Sequence, residues 1–349
     1  MPVVTAEKLE TIARALLEGA GTPPDDAATI ARLSIGANLV GHDSHGIMLI
    51  PTYIDRVKKG HIVPDAKWEI VQETATTTVV DGHWGFGYVV TERAMRHTIA
   101  KAKTQNVAAT TVFRQGHIGR LASYPLMAAA EGMIAMITAD SGRSPKHVAP
   151  FGGARARLGT NPICFAVPSD LEGPLCFDMA TSAAAAGKIG VAIARNKEVP
   201  TGWLIDAEGR PTTDPAQLRK GGALLPLGGS EGYKGYGLAA MVEILSGLLT
   251  GLGFGVEPTG RHNDGCFIAV FNVAAFRDLA TFRREVTEFA HYLNATPPAA
   301  GFDKVYYPGE VEFEREKERR ANGIPIEDST WDVLRKLAAE LGVAERAGL

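Results

Sequence analysis

Helical periodicity at both ends of the chain, enclosing a strand-rich, glycine-punctuated middle, is what most limits the fold. Thr5 is placed to cap a helix whose apolar positions Leu9, Ile12, Ala13, Leu16 and Leu17 recur on one face. Gly19 to Pro24 interrupts that pattern, and Pro23 or Pro24 suits the first turn of a second helix running toward Asn38. A short helix is expected over 51–59, ending at Gly60. At the far end, after a highly charged stretch over 310–320, Ser329 with Asp332 is placed to cap a last helix carrying Leu334, Leu337, Ala338 and Leu341.

From Lys67 the texture changes. Residues 76–80 read as a strand closed by Asp81-Gly82, and Thr91 as the cap of a helix through Lys103. Strands follow at 108–113, 133–138, Ile163–Val167, 175–177 and Cys266–Asn272, with helices over 121–130, 238–249 and 275–293. This is an α/β or α+β chain, with helical ends around a sheet. At 349 residues and 45% hydrophobic it has enough apolar side chains for a large core. A net charge of −3 offers no broad basic field for nucleic acid or a membrane surface. Cys164, Cys176 and Cys266 lie in apolar runs without C-x-x-C spacing and read as buried thiols of a reducing compartment. With no export signal at Met1-Pro2-Val3-Val4-Thr5 and no apolar run of membrane-spanning length, a cytoplasmic protein is expected.

Chemistry concentrates in a few loops. Gly41-His42-Asp43-Ser44-His45-Gly46 sets a proton-moving side chain beside a hydroxyl, with glycines that permit close approach. No strand is followed by G-x-G-x-x-G. Gly232-Tyr233-Lys234-Gly235-Tyr236-Gly237 either cradles a phosphate or is a tight turn into a buried helix. Gly116-His117-Ile118-Gly119-Arg120 leaves a strand; Arg120 grips a carboxylate or phosphate there, or is a surface arginine. Asp178 ends an apolar strand, where a carboxylate is costly unless paired; a histidine is its natural partner, and a helix N-cap the plainer role. His42, His45, Asp43 and Asp178 are acceptable metal ligands, but without H-E-x-x-H or a helical His pair no metal is expected.

Together these pieces resemble the malate/L-lactate dehydrogenase family that is distinct from the Rossmann lactate and malate dehydrogenases, nearest its hydroxycarboxylate dehydrogenase branch. The resemblance rests on Asp43-Ser44-His45-Gly46, Gly116-His117-Ile118-Gly119, Ala149-Pro150-Phe151-Gly152-Gly153, Gly159-Thr160-Asn161-Pro162, Asp178-Met179-Ala180-Thr181-Ser182, Pro226-Leu227-Gly228-Gly229 and Lys234-Gly235-Tyr236-Gly237, in order through most of the chain. It implies a non-Rossmann NAD(P)-binding domain with a largely antiparallel mixed sheet over 67–309, including a small helical subdomain. A helical domain built from both termini, 1–66 with 310–349, would carry the catalytic loop and dimer contacts. It also implies a homodimer that interconverts 2-oxo and 2-hydroxy acids with NAD or NADP, NAD ahead. Cyclic-imine reduction with NADPH is the alternative, and a non-catalytic NAD(P)-binding protein the reading from another class.

By resemblance, His45 is the proton donor and acceptor, Ser44 and Asp178 form a relay that tunes it, and His117 matches a second catalytic histidine that lies by the substrate and has the acid/base role in some members. Cofactor contacts fall to His45, Gly119, Arg120, Leu121, Cys176, Phe177, Asp178, Met179, Ala180, Tyr233, Lys234, Asn263, Gly309 and Glu310, with Thr160 and Asn161 shaping the nicotinamide pocket. Met48 stands in the stretch where many members carry an arginine that grips the substrate carboxylate. Arg120 is expected to take over that contact, or part of it, and the apolar Met48 to leave room for a bulkier or more apolar 2-oxo acid.

Overall fold

The computed structural model describes every residue except 141–143, 258 and 262. The two ends of the chain meet in a two-stranded ladder, β1 (Val3–Val4) with β12 (Ile324–Pro325). Next to it α1 (Ala6–Gly19) begins under its expected Thr5 cap and buries Leu9, Ile12, Leu16 and Leu17 completely. Each such side chain contributes about 1.5–3 kcal/mol by leaving water. The buried faces of α2 (Pro24–Leu39) and α3 (Ile50–Lys58) join the same core.

The sheet runs in the order β2-β3-β4-β11-β5-β6-β7. Its strands are β2 (Glu69–Glu73), β3 (Thr77–Gly85), β4 (Val107–Gln115), β5 (Met133–Ala139), β6 (Ile163–Val167), β7 (Leu175–Met179) and β11 (Cys266–Asn272). Only β3 and β4 pair in parallel; the other neighbours are antiparallel. The sheet is therefore largely antiparallel and mixed, as the resemblance implied, with the single parallel crossover β3-α4-β4 in place of the successive crossovers of a doubly wound nucleotide fold. A three-stranded sheet, β8 (Leu204–Ile205), β9 (Pro211–Thr212) and β10 (Ala223–Leu224), covers a smaller core with α6 (Ala186–Ala194).

Across β3 and β4 lies α4 (Gly87–Gln105), with α5 (Pro125–Ala130) against β5. Buried Glu92 on α4 bonds Arg32 of α2 and Arg96 one turn on, tying the helical layer to the sheet. The remaining helices are α7 (Tyr233–Glu243), α8 (Leu279–Asn294), α9 (Glu310–Asn322), α10 (Asp328–Glu340) and α11 (Ala344–Ala347).

Several expectations need correction. Asp81-Gly82 closes no strand: β3 continues to Gly85 through a bulge, because Asp81 is buried and bonded by Arg114. Thr91 caps nothing. The helix starts at Gly87, and Thr91 lies inside it, giving its hydroxyl to Gln115 Oε1 at 2.9 Å. Ser329 is likewise inside α10, which follows Glu327 without a side-chain cap. The 121–130 helix is split at Pro125, with a tight turn over Leu121–Ser123 before it. The apolar 238–249 helix begins earlier, at Tyr233, and widens to a π turn over Ile244–Leu248.

Candidate active site

The loop after α2 is built as a rigid platform. Asn38, at the end of that helix, accepts the Ile47 N–H at 2.8 Å and donates to Asp43 Oδ1 at 2.7 Å. Arg319 of α9 grips both Asp43 oxygens, at 2.7 and 3.0 Å, and also bonds the Asn38 carbonyl. A Cβ at Gly46 would coincide with the Asn38 carboxamide, so the glycine after His45 is where that side chain crosses the loop. On this platform Ser44 Oγ lies 3.1 Å from His45 Nδ1, which turns Nε2 to the atom left for a ligand.

His117 leaves the end of β4 and stacks beside His45, with ring centroids 5.7 Å apart and planes 23° from parallel. Its Nδ1 is 2.8 Å from the hydroxyl of Tyr53 on α3. Tyr53 is 3.2 Å from the Tyr88 hydroxyl, which donates to the His45 carbonyl at 3.3 Å. Both tyrosines are fully buried, so a dry hydroxyl chain ties the His117 ring to the backbone carbonyl of His45. Gly119 has φ +73°, and a Cβ there would strike the Tyr88 ring; only glycine lets the loop cross it. The buried Asp264 accepts the Ile118 N–H at 3.2 Å and holds the same loop.

These elements line one cleft of about 1380 Å³, where Ser44, His45, Met48, His117, Gly119, Arg120, Leu121, Thr160, Asp178, Met179 and Ala180 all meet. Desolvation, with further contributions from His42 and Arg120, pushes the His45 pKa down to about 4, while Asp264 opposes the shift. Arg120 makes no side-chain hydrogen bond among the described residues, and its Nε is buried without a partner. Met48 is 48% exposed on the cleft wall.

Asp178 departs from the expected relay. It pairs with neither histidine nor Ser44, and it caps no helix. It stays within β7 and accepts the Ala122 N–H at 2.9 Å, because the turn at Leu121–Ser123 presents that donor to the strand. Burial raises its pKa, against the pull of Ala122, Arg120 and His42.

The other expected cofactor residues lie off the cleft. Asn161 is buried behind Thr160, donating to Glu243 and to the Ala239 carbonyl, both at 2.9 Å. Asn263 Oδ1 accepts the Gln115 N–H at 3.3 Å. Cys176 is buried and its N–H bonds the Pro308 carbonyl, next to Gly309, while Phe177 is 39% exposed on the strand's other side. Glu310 is held by Lys304 at 2.7 Å and Asn294 at 3.0 Å. Tyr233 is half exposed, and Lys234 faces Glu231 at 3.3 Å on the surface. Gly235 packs against the Leu227 backbone, so its part of the motif is a tight turn into a helix.

Sequence reasoning missed Tyr53, Tyr88 and Arg319. Tyr53 shares the inward face of α3 with Ile50 and Ile54, and that periodicity was the available signal. Arg319 carried none, because its partner Asp43 is 276 residues away. It also missed Lys188 and Arg195, which line the cleft from α6.

The chain is an α/β protein with a largely antiparallel mixed sheet beside a helical layer, and one cleft brings together paired histidines and an unbonded arginine. The chain belongs to the malate/L-lactate dehydrogenase family, a family of oxidoreductases whose sequence pattern matches residues 4–335. It is 33% identical over 338 residues to the ureidoglycolate dehydrogenase (NAD(+)) of Escherichia coli O157:H7, covering 95% of this chain and 94% of that protein. Among solved structures, malate dehydrogenase from Entamoeba histolytica superposes with a TM-score of 0.94 at 34% identity, over 98% of both chains. The Δ1-piperideine-2-carboxylate reductase of Pseudomonas syringae pvar. tomato superposes with a TM-score of 0.85 at 29% identity, over 97% of this chain and 100% of that one. No helix among the described residues is long and apolar enough to cross a membrane.

Proposed function

We propose that this protein is an NAD(P)-dependent dehydrogenase interconverting 2-oxo and 2-hydroxy acids, with His45 moving the proton. The observation that carries this reading is the His45–His117 pair beside Arg120 in a single cleft. The cleft has room for a dinucleotide and a small acid together. The partnerless Arg120 Nε marks a place built for an anion. Gly119, Arg120, Leu121, Thr160, Met179 and Ala180 would hold the cofactor, which when bound supplies or accepts the hydride.

His45 Nε2 gives the substrate carbonyl oxygen its proton in reduction and takes it back in oxidation. Ser44 holds the ring by Nδ1. With its pKa down to about 4, His45 is neutral near pH 7, the form that accepts a proton in oxidation. Arg120 receives the substrate carboxylate, and Met48 lines the same cleft. A homodimer fits the exposed apolar side chains of Met241, Ile244, Leu248, Leu249 and Phe254, which a partner would cover; light scattering would measure it.

The test is oxidation of NADH and NADPH, followed by absorbance, against pyruvate, oxaloacetate, 2-oxoglutarate, phenylpyruvate, hydroxypyruvate and piperideine-2-carboxylate. Turnover of a 2-oxo acid is expected. The likeness to the piperideine-carboxylate reductase supports a second reading, which turnover of the imine alone would establish instead.

A further inference from the structure

Helix α6 starts against the catalytic loop: a Cβ on Gly187 would lie 3.3 Å from Ser44 Cβ. Ile189, 1% exposed, anchors the helix in the smaller core. Lys188, Val191 and Arg195, at helical spacings of three and four, share another face, are all exposed, and all line the same cleft as His45, His117 and Arg120. Neither Lys188 nor Arg195 has an ion pair or side-chain hydrogen bond among the described residues. Lys188 is in the first turn of α6, where the helix dipole disfavours a cation. A lysine held against that dipole, without a carboxylate, in a cleft that already contains one unbonded arginine, is arranged for an anion from solution.

We propose that the Lys188–Val191–Arg195 face of α6 is a subsite for the second anionic group of a dianionic 2-oxo acid, the first being received by Arg120. This rests on the dehydrogenase reading above and deepens it. Two separated cationic stations select a substrate with acidic groups at both ends. The helix meets the Ser44 loop at Gly187, one residue before Lys188, so this face begins on the side of the cleft that carries His45.

The experiment compares oxaloacetate and 2-oxoglutarate with pyruvate and 2-oxobutanoate in the full-length enzyme, as kcat/KM ratios. It uses wild type, Lys188→Gln, Arg195→Gln and the conservative Lys188→Arg, with NADH and NADPH affinities measured by fluorescence. Wild type is expected to favour the dianionic acids. Each Gln variant should lower the dianionic-to-monoanionic ratio about tenfold or more, mainly through KM, and Lys188→Arg should restore most of it. A ratio unchanged in both Gln variants, or a wild type that prefers pyruvate, overturns the subsite while leaving the dehydrogenase reading intact. Loss of cofactor affinity with an unchanged ratio assigns these cations to a cofactor phosphate and also overturns it. Absence of turnover with any 2-oxo acid in the wild type overturns the functional reading and the subsite together.

Discussion

Two neighbouring walls of the cleft are built in opposite ways. On the wall formed by α2, α3 and the end of β4, the polar groups around the proton path are bonded to one another. Ser44 holds His45, Tyr53 holds His117, Tyr88 links both, and Arg319 with Asn38 fixes the loop beneath. On the wall formed by α6, the cations Lys188 and Arg195 have no protein partner among the described residues, and Arg120, on the loop that carries His117, is unbonded as well. The bonded wall is set for chemistry before a ligand arrives, as an acid–base site requires. The unbonded groups retain their hydrogen-bonding capacity for the ligand. On the proposed reading, proton transfer belongs to the bonded groups and recognition of charge to the unbonded ones, and substitutions should separate them.

The largest effect is expected from the bonded wall. His45→Ala should lower kcat by about 100- to 10,000-fold, the usual cost of losing a general acid, while NADH still binds by fluorescence titration. Near-normal turnover by that variant would move the proton role to His117. Next comes the unbonded side. Arg120→Ala should lower kcat/KM for the 2-oxo acid by roughly 10- to 100-fold, chiefly through KM, because a charge-assisted bond is lost. An unchanged KM would show that the carboxylate is gripped elsewhere. Smaller still, Tyr53→Phe removes one hydroxyl from the chain behind His117 and should cost about 3- to 10-fold in kcat/KM, with little loss of stability. If Tyr53→Phe matched His45→Ala in kcat, the proton role would lie with His117, whose ring Tyr53 holds.

The same contrast explains what could be read from the chain. Strands Ile163–Val167 and Cys266–Asn272 were legible to the residue, because short apolar runs between turn residues have few alternatives. Helix starts were harder. In α4 and α10 no side chain caps the first turn, so the capping residues nearest the pattern, Thr91 and Ser329, gave misleading boundaries. The site loops at Ser44–His45 and Gly116–Arg120 stood out because glycine, histidine and arginine are costly or unusual there unless used. The bonds that hold them did not stand out. Asp43 meets Arg319, and His117 meets Tyr53, only through tertiary packing. Asp178 was singled out as a carboxylate on an apolar strand that needs a partner, but that partner is a backbone N–H that residue types do not reveal.

The central claim is that a desolvated, Ser44-held His45 moves the proton, and the pH dependence of kcat/KM in the two directions tests it most directly. A group whose pKa is held near 4 is protonated only below that value and neutral above it. Reduction of the 2-oxo acid needs the protonated form, so its kcat/KM should fall about tenfold per pH unit from pH 5 to pH 8. Oxidation of the 2-hydroxy acid needs the neutral form and should stay flat over the same range. A reduction profile flat from pH 5 to pH 8, unchanged in His45→Ala, would contradict the account.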